Sequence, residues 1–364
     1  MFGFCRPRPL GPKRCRRNVK VAYITGMSLP KAISFSNHLY QKRIGYIAKL
    51  MRITLQLAGA ILAMTQAIKF VGELLDGSGM RGSVVSALLL GLLLVATSAS
   101  STLEAAIAKL ASQMYRRSFK IIVYSSPLLF TVVLLLVKAK VGPTGEQWRQ
   151  MSSEGSLSEY GTALAYLLMP WLTWPMAKHF RQQRQKTMAA LYYFFSVLAF
   201  FIGMEEISWG QRIIGFQEPQ FWTEHNVQSE FTFHNLSFYH DHLMSRSFLL
   251  IGLLGSICWL ILFFRDKYRR SAQRPAKMLD LTYILPDWSI SSFFYPTFLF
   301  YLIYDYIRFP GYADFLHHVD QEHCELIMSL GVLLFFTINF FRQGRLNDLL
   351  AEASTVSQQA IEAR

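Results

Sequence analysis

Apolar residues gather in eight runs along the chain, near 53 to 72, 84 to 104, 121 to 139, 161 to 177, 188 to 208, 247 to 264, 288 to 307 and 325 to 341. A helix rises 1.5 Å per residue, so runs of roughly 17 to 22 residues suffice to cross a hydrocarbon core about 30 Å thick. The pattern predicts an all-α protein, a polytopic transmembrane helical bundle of about eight spans. The first run carries Gln56, Gln66 and Lys69 and reads either as a span or as a tilted or interfacial helix. Pro170 and Pro175 in the fourth run and Pro296 in the seventh are expected to kink their helices, which lipid tolerates where neighbours re-satisfy the freed carbonyls. The spacing shows no internal repeat, which weakens a transporter built from two related halves. Three segments follow: an N-terminal arm over 1–52, a transmembrane domain over 53–341 with an ordered extracytoplasmic cap loop at 209–246, and a polar helical tail over 342–364.

Composition agrees with that pattern. The chain is 52% hydrophobic and only 16% charged, which excludes a soluble enzyme, a disordered tail protein and a disulfide-stapled secreted module. Its net charge of +14 does not point to nucleic acid, because the Lys and Arg sit in short connections rather than on one folded face. They report topology instead. With a cytoplasmic N-terminus, 29 of the 37 basic residues fall in the arm, the tail and the connections 105–120, 178–187 and 265–282, and only seven fall on the outer side. Both termini are therefore expected in the cytoplasm, and the location is read as a bacterial inner (plasma) membrane. The first 52 residues hold twelve Lys or Arg and no acid, with no apolar stretch of a cleaved signal peptide behind them. Such an arm suits anionic lipid. Cys5, Cys15, Cys258 and Cys324 show no paired spacing and are expected as reduced thiols.

The candidate chemistry lies on the outer side, where seven of the nine histidines gather in 209–246 and 308–324. The fifth run ends in Glu205 and Glu206, followed by Trp209, Gln211 and Arg212. A carboxylate at membrane depth costs about 2.5–3.5 kcal/mol at a helix centre and needs a partner or a task. Adjacent helical residues point about 100° apart, so one glutamate can act while the other orients a neighbour. Glu205, Glu206, His234 and His318 are the candidate catalytic groups. Trp209, Gln211, Arg212, Asn226, Gln228, Glu230, Asn235 and Arg308 are candidates for substrate binding, with the arginines suited to an anionic headgroup. His240, His242, His317 and His323 are the candidate ligands of a divalent metal such as zinc, although no zinc-hydrolase signature spaces them. His318, Glu322 and Glu325 share one helical face if the helix has begun by Asp314. Every one of these groups also has a structural reading, as part of a polar cap closing the bundle.

The run EEISWGQR from Glu205 to Arg212, with Asn226, Gln228, Glu230, His234 and Asn235 behind it, resembles a pattern found in multi-pass bacterial membrane proteins. That resemblance spans about 30 residues and implies a helical membrane bundle, with no activity attached. The paired glutamates are also similar to the EExxxR motif of the CAAX-processing glutamic proteases, but here the arginine falls two residues later and the paired histidine spacings are not cleanly present. The residues themselves support a membrane-embedded enzyme acting on a lipid or lipid-linked substrate at the extracytoplasmic side, by hydrolysis or group transfer, with membrane lipids as its surroundings. The competing reading is a non-enzymatic transporter or assembly partner with a structural polar cap, in which Lys69, Glu205 and Asp305 mark an ion path or simply close the fold.

Overall fold

The protein is described here from a computed structural model, over residues 116–143, 157–211, 216–227, 230–239, 243–272, 280–307 and 311–362, with 148, 152 and scattered positions between 45 and 113. The main helices among the described residues are α1 (Arg117–Val141), α2 (Leu157–Gln182), α3 (Lys186–Glu206), α4 (Gln220–His225), α5 (Ser245–Ile257), α6 (Trp259–Ala272), α7 (Trp288–Ser291), α8 (Tyr295–Tyr301) and α9 (Gln321–Glu362), with single turns at Ser237–Tyr239 and Tyr312–Phe315. Among the described residues no strand forms, and one antiparallel bridge joins Asn226 to Leu236. The described part of the fold is all-helical.

Among the described residues, four helical segments are long and apolar enough to cross a membrane: Arg117–Val141, Lys186–Glu206, Ser245–Tyr268 and His318–Gln343. They overlap the third, fifth, sixth and eighth apolar runs. The fourth run lies inside α2, a continuous 26-residue helix through Pro170 and Pro175 whose ends carry Glu159, His179 and Arg181. The seventh run is interrupted rather than kinked. Pro296 sits in the first turn of α8, where its missing N–H costs nothing, and a π-helical turn over Leu302–Ile307 follows. The first two runs fall partly outside the described residues.

The chain divides into two compact units, 115–340 and the remainder. In the second of these, the described positions between 45 and 75 and between 89 and 113 are helical. A Cβ on Gly91 would stand 2.7 Å from the backbone nitrogen of Ala63, so two helical stretches meet there backbone to backbone.

Within 115–340, lipid-like surroundings and close packing explain the sequence choices. Ile122, Leu129, Leu136, Phe194 and Val197 are exposed large apolar side chains on α1 and α3, as expected of surfaces turned to hydrocarbon. Pro127 cannot donate to the Val123 carbonyl four residues back, and Ser126 Oγ donates to that oxygen at 2.9 Å instead. Polar groups join helices across the interior. Thr173 and Ser196 hydroxyls lie 2.6 Å apart between α2 and α3, and Tyr192 donates to the Tyr283 carbonyl at 2.7 Å. Near the start of α7, Asp287 accepts from the Ser289 backbone at 3.0 Å and pairs with Lys120 of α1. Burial alone would raise the Asp287 carboxyl, but the Lys120 charge and the donors around it outweigh burial and hold it below the usual carboxylate range.

Small residues set the helix approach. A Cβ on Gly252 of α5 would stand 2.7 Å from the Phe298 nitrogen and 2.9 Å from its Cα, both backbone atoms of α8 that cannot swing aside. Gly252→Ala is therefore expected to lower stability by about 1–3 kcal/mol of overpacking, offset by roughly 1 kcal/mol of helix propensity. The thermal midpoint of the detergent-solubilised protein reads the difference, and a raised midpoint would mean that α5 and α8 slide apart freely, leaving only the propensity gain.

Candidate functional site

Where α3 ends, the chain turns sharply. Ser208 and Trp209 both take left-handed backbone conformations, at φ 48° and 53°, and Gly210 follows at φ 84°. Two non-glycine residues in that region cost of order 1–3 kcal/mol each and persist only where side chains hold them. Here they are held. Ser208 Oγ donates to Glu230 Oε2 at 2.7 Å, and Trp209 Nε1 donates to Glu205 Oε1 at 2.5 Å. The turn thus sends the chain back over its own helix end, where Phe201 meets the rings of Trp209 and Phe233 at 5.6 and 5.8 Å.

Glu205, only 4% exposed, organises this loop. Its Oε2 accepts from the backbone nitrogens of Phe233 at 2.6 Å and His234 at 3.0 Å, and lies 3.3 Å from His234 Nδ1. With Trp209 on Oε1, most of the carboxylate's acceptor directions are taken. The structure therefore brings Glu205 and His234 together across 29 residues, in a geometry that clamps the loop to α3. Other candidates serve the same loop. Asn226 Nδ2 donates to the Thr232 carbonyl at 2.8 Å, its Oδ1 accepts from the Glu230 nitrogen at 3.3 Å, and Val227 N donates to the Asn235 carbonyl at 2.9 Å. Gln211 accepts from Phe231 N at 2.7 Å and donates to Glu218 at 2.8 Å. Trp222 closes the loop's apolar underside against Phe231 and Phe233, with ring centres 4.9 and 4.8 Å away.

Glu206 belongs to different surroundings from Glu205, as the 100° step between adjacent residues requires. It lies within electrostatic reach of Tyr166 in α2 and Glu325 in α9. His318 is exposed at the turn before α9, with its ring centre 6.3 Å from that of Tyr304. His317 contributes its backbone N–H to Asp320 at 2.8 Å. Arg212, Gln228, His240, His242 and Arg308 lie outside the described residues. Among the described residues, no three His, Cys, Asp or Glu side chains are grouped so as to hold a metal ion.

His323 lies in a second polar centre, whose members are scattered in sequence from Lys138 to His323. Its Nδ1 is 2.6 Å from Ser158 Oγ and its Nε2 is 2.9 Å from Ser152 Oγ, all three side chains being buried. A neutral imidazole has one donor and one acceptor nitrogen, so one serine donates to the ring and the other accepts from it. The Trp148 ring stands 5.1 Å away, and its Nε1 donates to Asp320 Oδ1 at 2.8 Å. Asp320 pairs with Lys138, which is 1% exposed near the end of the first described apolar helix. The Lys138 ammonium also sits over the Trp148 and Phe315 rings, at 5.4 and 5.1 Å. Beneath this centre, α1, α8 and α9 border a cavity of about 230 Å³ with Leu134, Leu135, Leu299, Phe300 and Ile327 in its walls. Lys138, Trp148, Asp320 and His323 line it too, at the end where α1 finishes and α9 begins.

The signal that would have found this centre is a lysine inside an apolar run, since a charge at membrane depth calls for a partner. Comparison of the chain with protein-family models, with curated proteins and with solved structures gave no match, so the geometry above is what speaks for function.

Proposed function

We propose that this integral membrane protein is an enzyme acting on a lipid or lipid-linked substrate, by hydrolysis or group transfer, at the extracytoplasmic side. One observation carries the reading: a buried Ser158–His323–Ser152 chain whose histidine lines an apolar slot, with Lys138 and Asp320 also in the slot's walls. The slot suits a hydrocarbon chain and brings the polar end of that chain to His323. His323 acts as general base toward Ser158, whose hydroxyl is the nucleophile on the shorter contact, and Ser152 fixes the ring's tautomer. Lys138 supplies positive charge for an anionic centre in the substrate. Glu205 and His234 hold the loop over the helix ends as positioning residues, and the division of loop charge supports placing this end of the bundle outside.

The test compares membrane lipids of cells lacking the protein with cells supplied with the natural protein, His323→Gln or Ser158→Ala. A lipid class that accumulates in its absence should be cleared by the natural protein, and at least about a hundredfold more slowly by either variant, at equal amount and thermal midpoint. Clearance at the natural rate by both variants would end the catalytic reading. A second reading, an assembly partner without catalysis, is favoured by the closed hydrogen bonding of the 209–246 loop. It predicts no lipid change in any of these cells.

A further inference from the structure

A second cavity, of about 490 Å³, lies among α2, α3, α5 and α9 and shares no lining residue with the slot at His323. Its size falls within the range that accommodates small-molecule ligands. Met169, Phe195, Ile202, Gly255, Val332 and Phe336 are among its walls, and none of the described residues that line it is charged. Tyr166 alone of them carries a side-chain oxygen. One wall is not helical. Ile284, Leu285 and Pro286 form it, just after the Tyr283 carbonyl that accepts from the Tyr192 hydroxyl at 2.7 Å.

The position of the cavity narrows what can fill it. Phe195 and Ile202 lie in the interior of the membrane-length segment 186–206, Ile251 and Cys258 in that of 245–268, and Val332 and Phe336 in that of 318–343. The cavity therefore stands at hydrocarbon depth, and its mouth faces sideways. Leu198 of α3 and Ile251 and Leu254 of α5 line it and are 38%, 46% and 51% exposed, beside the exposed Phe194, Val197 and Leu250 on the same two helices. A chain in the bilayer can thus enter between α3 and α5 without crossing water. Walls of this composition hold water poorly and gain dispersion contacts from hydrocarbon. A charged headgroup drawn to the same depth would meet no counter-charge in the lining.

We propose that this cavity binds an uncharged lipid that enters from the bilayer between α3 and α5, its hydrocarbon chain packed against Phe195, Phe294, Phe335 and Phe336. A phospholipid fits less well, because its charged headgroup holds it at the interface while the cavity lies inside the spans. The site shares no residue with the proposed catalytic centre and stands independently of the catalytic reading.

The test uses the full-length protein in vesicles of phosphatidylethanolamine and phosphatidylglycerol, with two photoreactive probes carrying the same diazirine-tagged acyl chain, one a diacylglycerol and the other a phosphatidylglycerol. Labelling is mapped by mass spectrometry at Ile251, Leu254 and Cys258 and scaled to that at Leu129 and Leu136, which are exposed on α1 away from the cavity. On this scale the diacylglycerol should label the cavity at least about tenfold more than the phosphatidylglycerol, since charge is disfavoured at that depth. Excess untagged diacylglycerol should remove the cavity labelling and leave that of α1. Ala199→Phe, which fills the cavity from α3, should do the same. If that variant does not fold, Leu198→Trp at the exposed mouth replaces it, and competition on the natural protein gives the answer without any variant. Equal scaled labelling by the two probes would overturn the proposal, as would cavity labelling that untagged diacylglycerol does not reduce, because both are the marks of the general lipid surround.

Discussion

Glu205→Ala is expected to release the 209–246 loop and to cost about 3–5 kcal/mol, because it strips an ionised acceptor from several buried or half-buried donors at once. The donors left behind are Trp209 Nε1, the Phe233 and His234 backbone nitrogens and the His234 ring. The left-handed Ser208 and Trp209 make the loss larger, since the indole bond to Glu205 is one of the contacts that hold this conformation. Glu205→Gln keeps the shape but turns an amide NH2 toward existing donors, so it should lose about 1–3 kcal/mol rather than nothing. Denaturant unfolding in detergent measures both, and protease cleavage within 209–246 should accelerate before the helices melt. Normal stability with lost lipid turnover in Glu205→Gln would return the glutamate to a catalytic role.

The contrast between Glu205 and Lys138 shows what the sequence can and cannot disclose. The helices 117–141, 186–206, 245–268 and 318–343 were legible because long charge-poor runs have few alternatives in lipid. The interruption of 288–307 was not, because the run's composition is apolar while its breaks come from the Pro296 turn start and the π-helical turn. Glu205 stood out as an acid closing an apolar helix, and His234 as part of a polar string behind it. Their contact depends on a turn at Ser208, Trp209 and Gly210 whose left-handed backbone only Gly210 announces. Asn226 and Gln211 were recognised as purposeful polar groups, yet residue type alone does not say whether such a group bonds a ligand or its own loop. Lys138 lies inside the apolar run 121–139 but one residue from its end, where a lysine ordinarily snorkels to water, so its position alone does not mark it as buried. What makes it a buried centre is Asp320, 182 residues further on.

That pair yields a prediction with a distinctive signature. Lys138→Met removes the cation and leaves Asp320 buried, with Trp148 Nε1 on one oxygen and the His317 backbone nitrogen on the other. An uncompensated buried charge costs about 3–5 kcal/mol, and Asp320→Asn, which strands the ammonium instead, should cost a similar amount. The double variant Lys138→Met with Asp320→Asn carries no charge, keeps an acceptor for Trp148 and retains an unbranched apolar stem against Phe315. Its cost should therefore fall well below the sum of the singles, with a coupling of about 1.5–3 kcal/mol in a double-mutant cycle. Unfolding of the four proteins in one detergent gives the cycle directly. Strict additivity would mean that Lys138 and Asp320 do not sense each other.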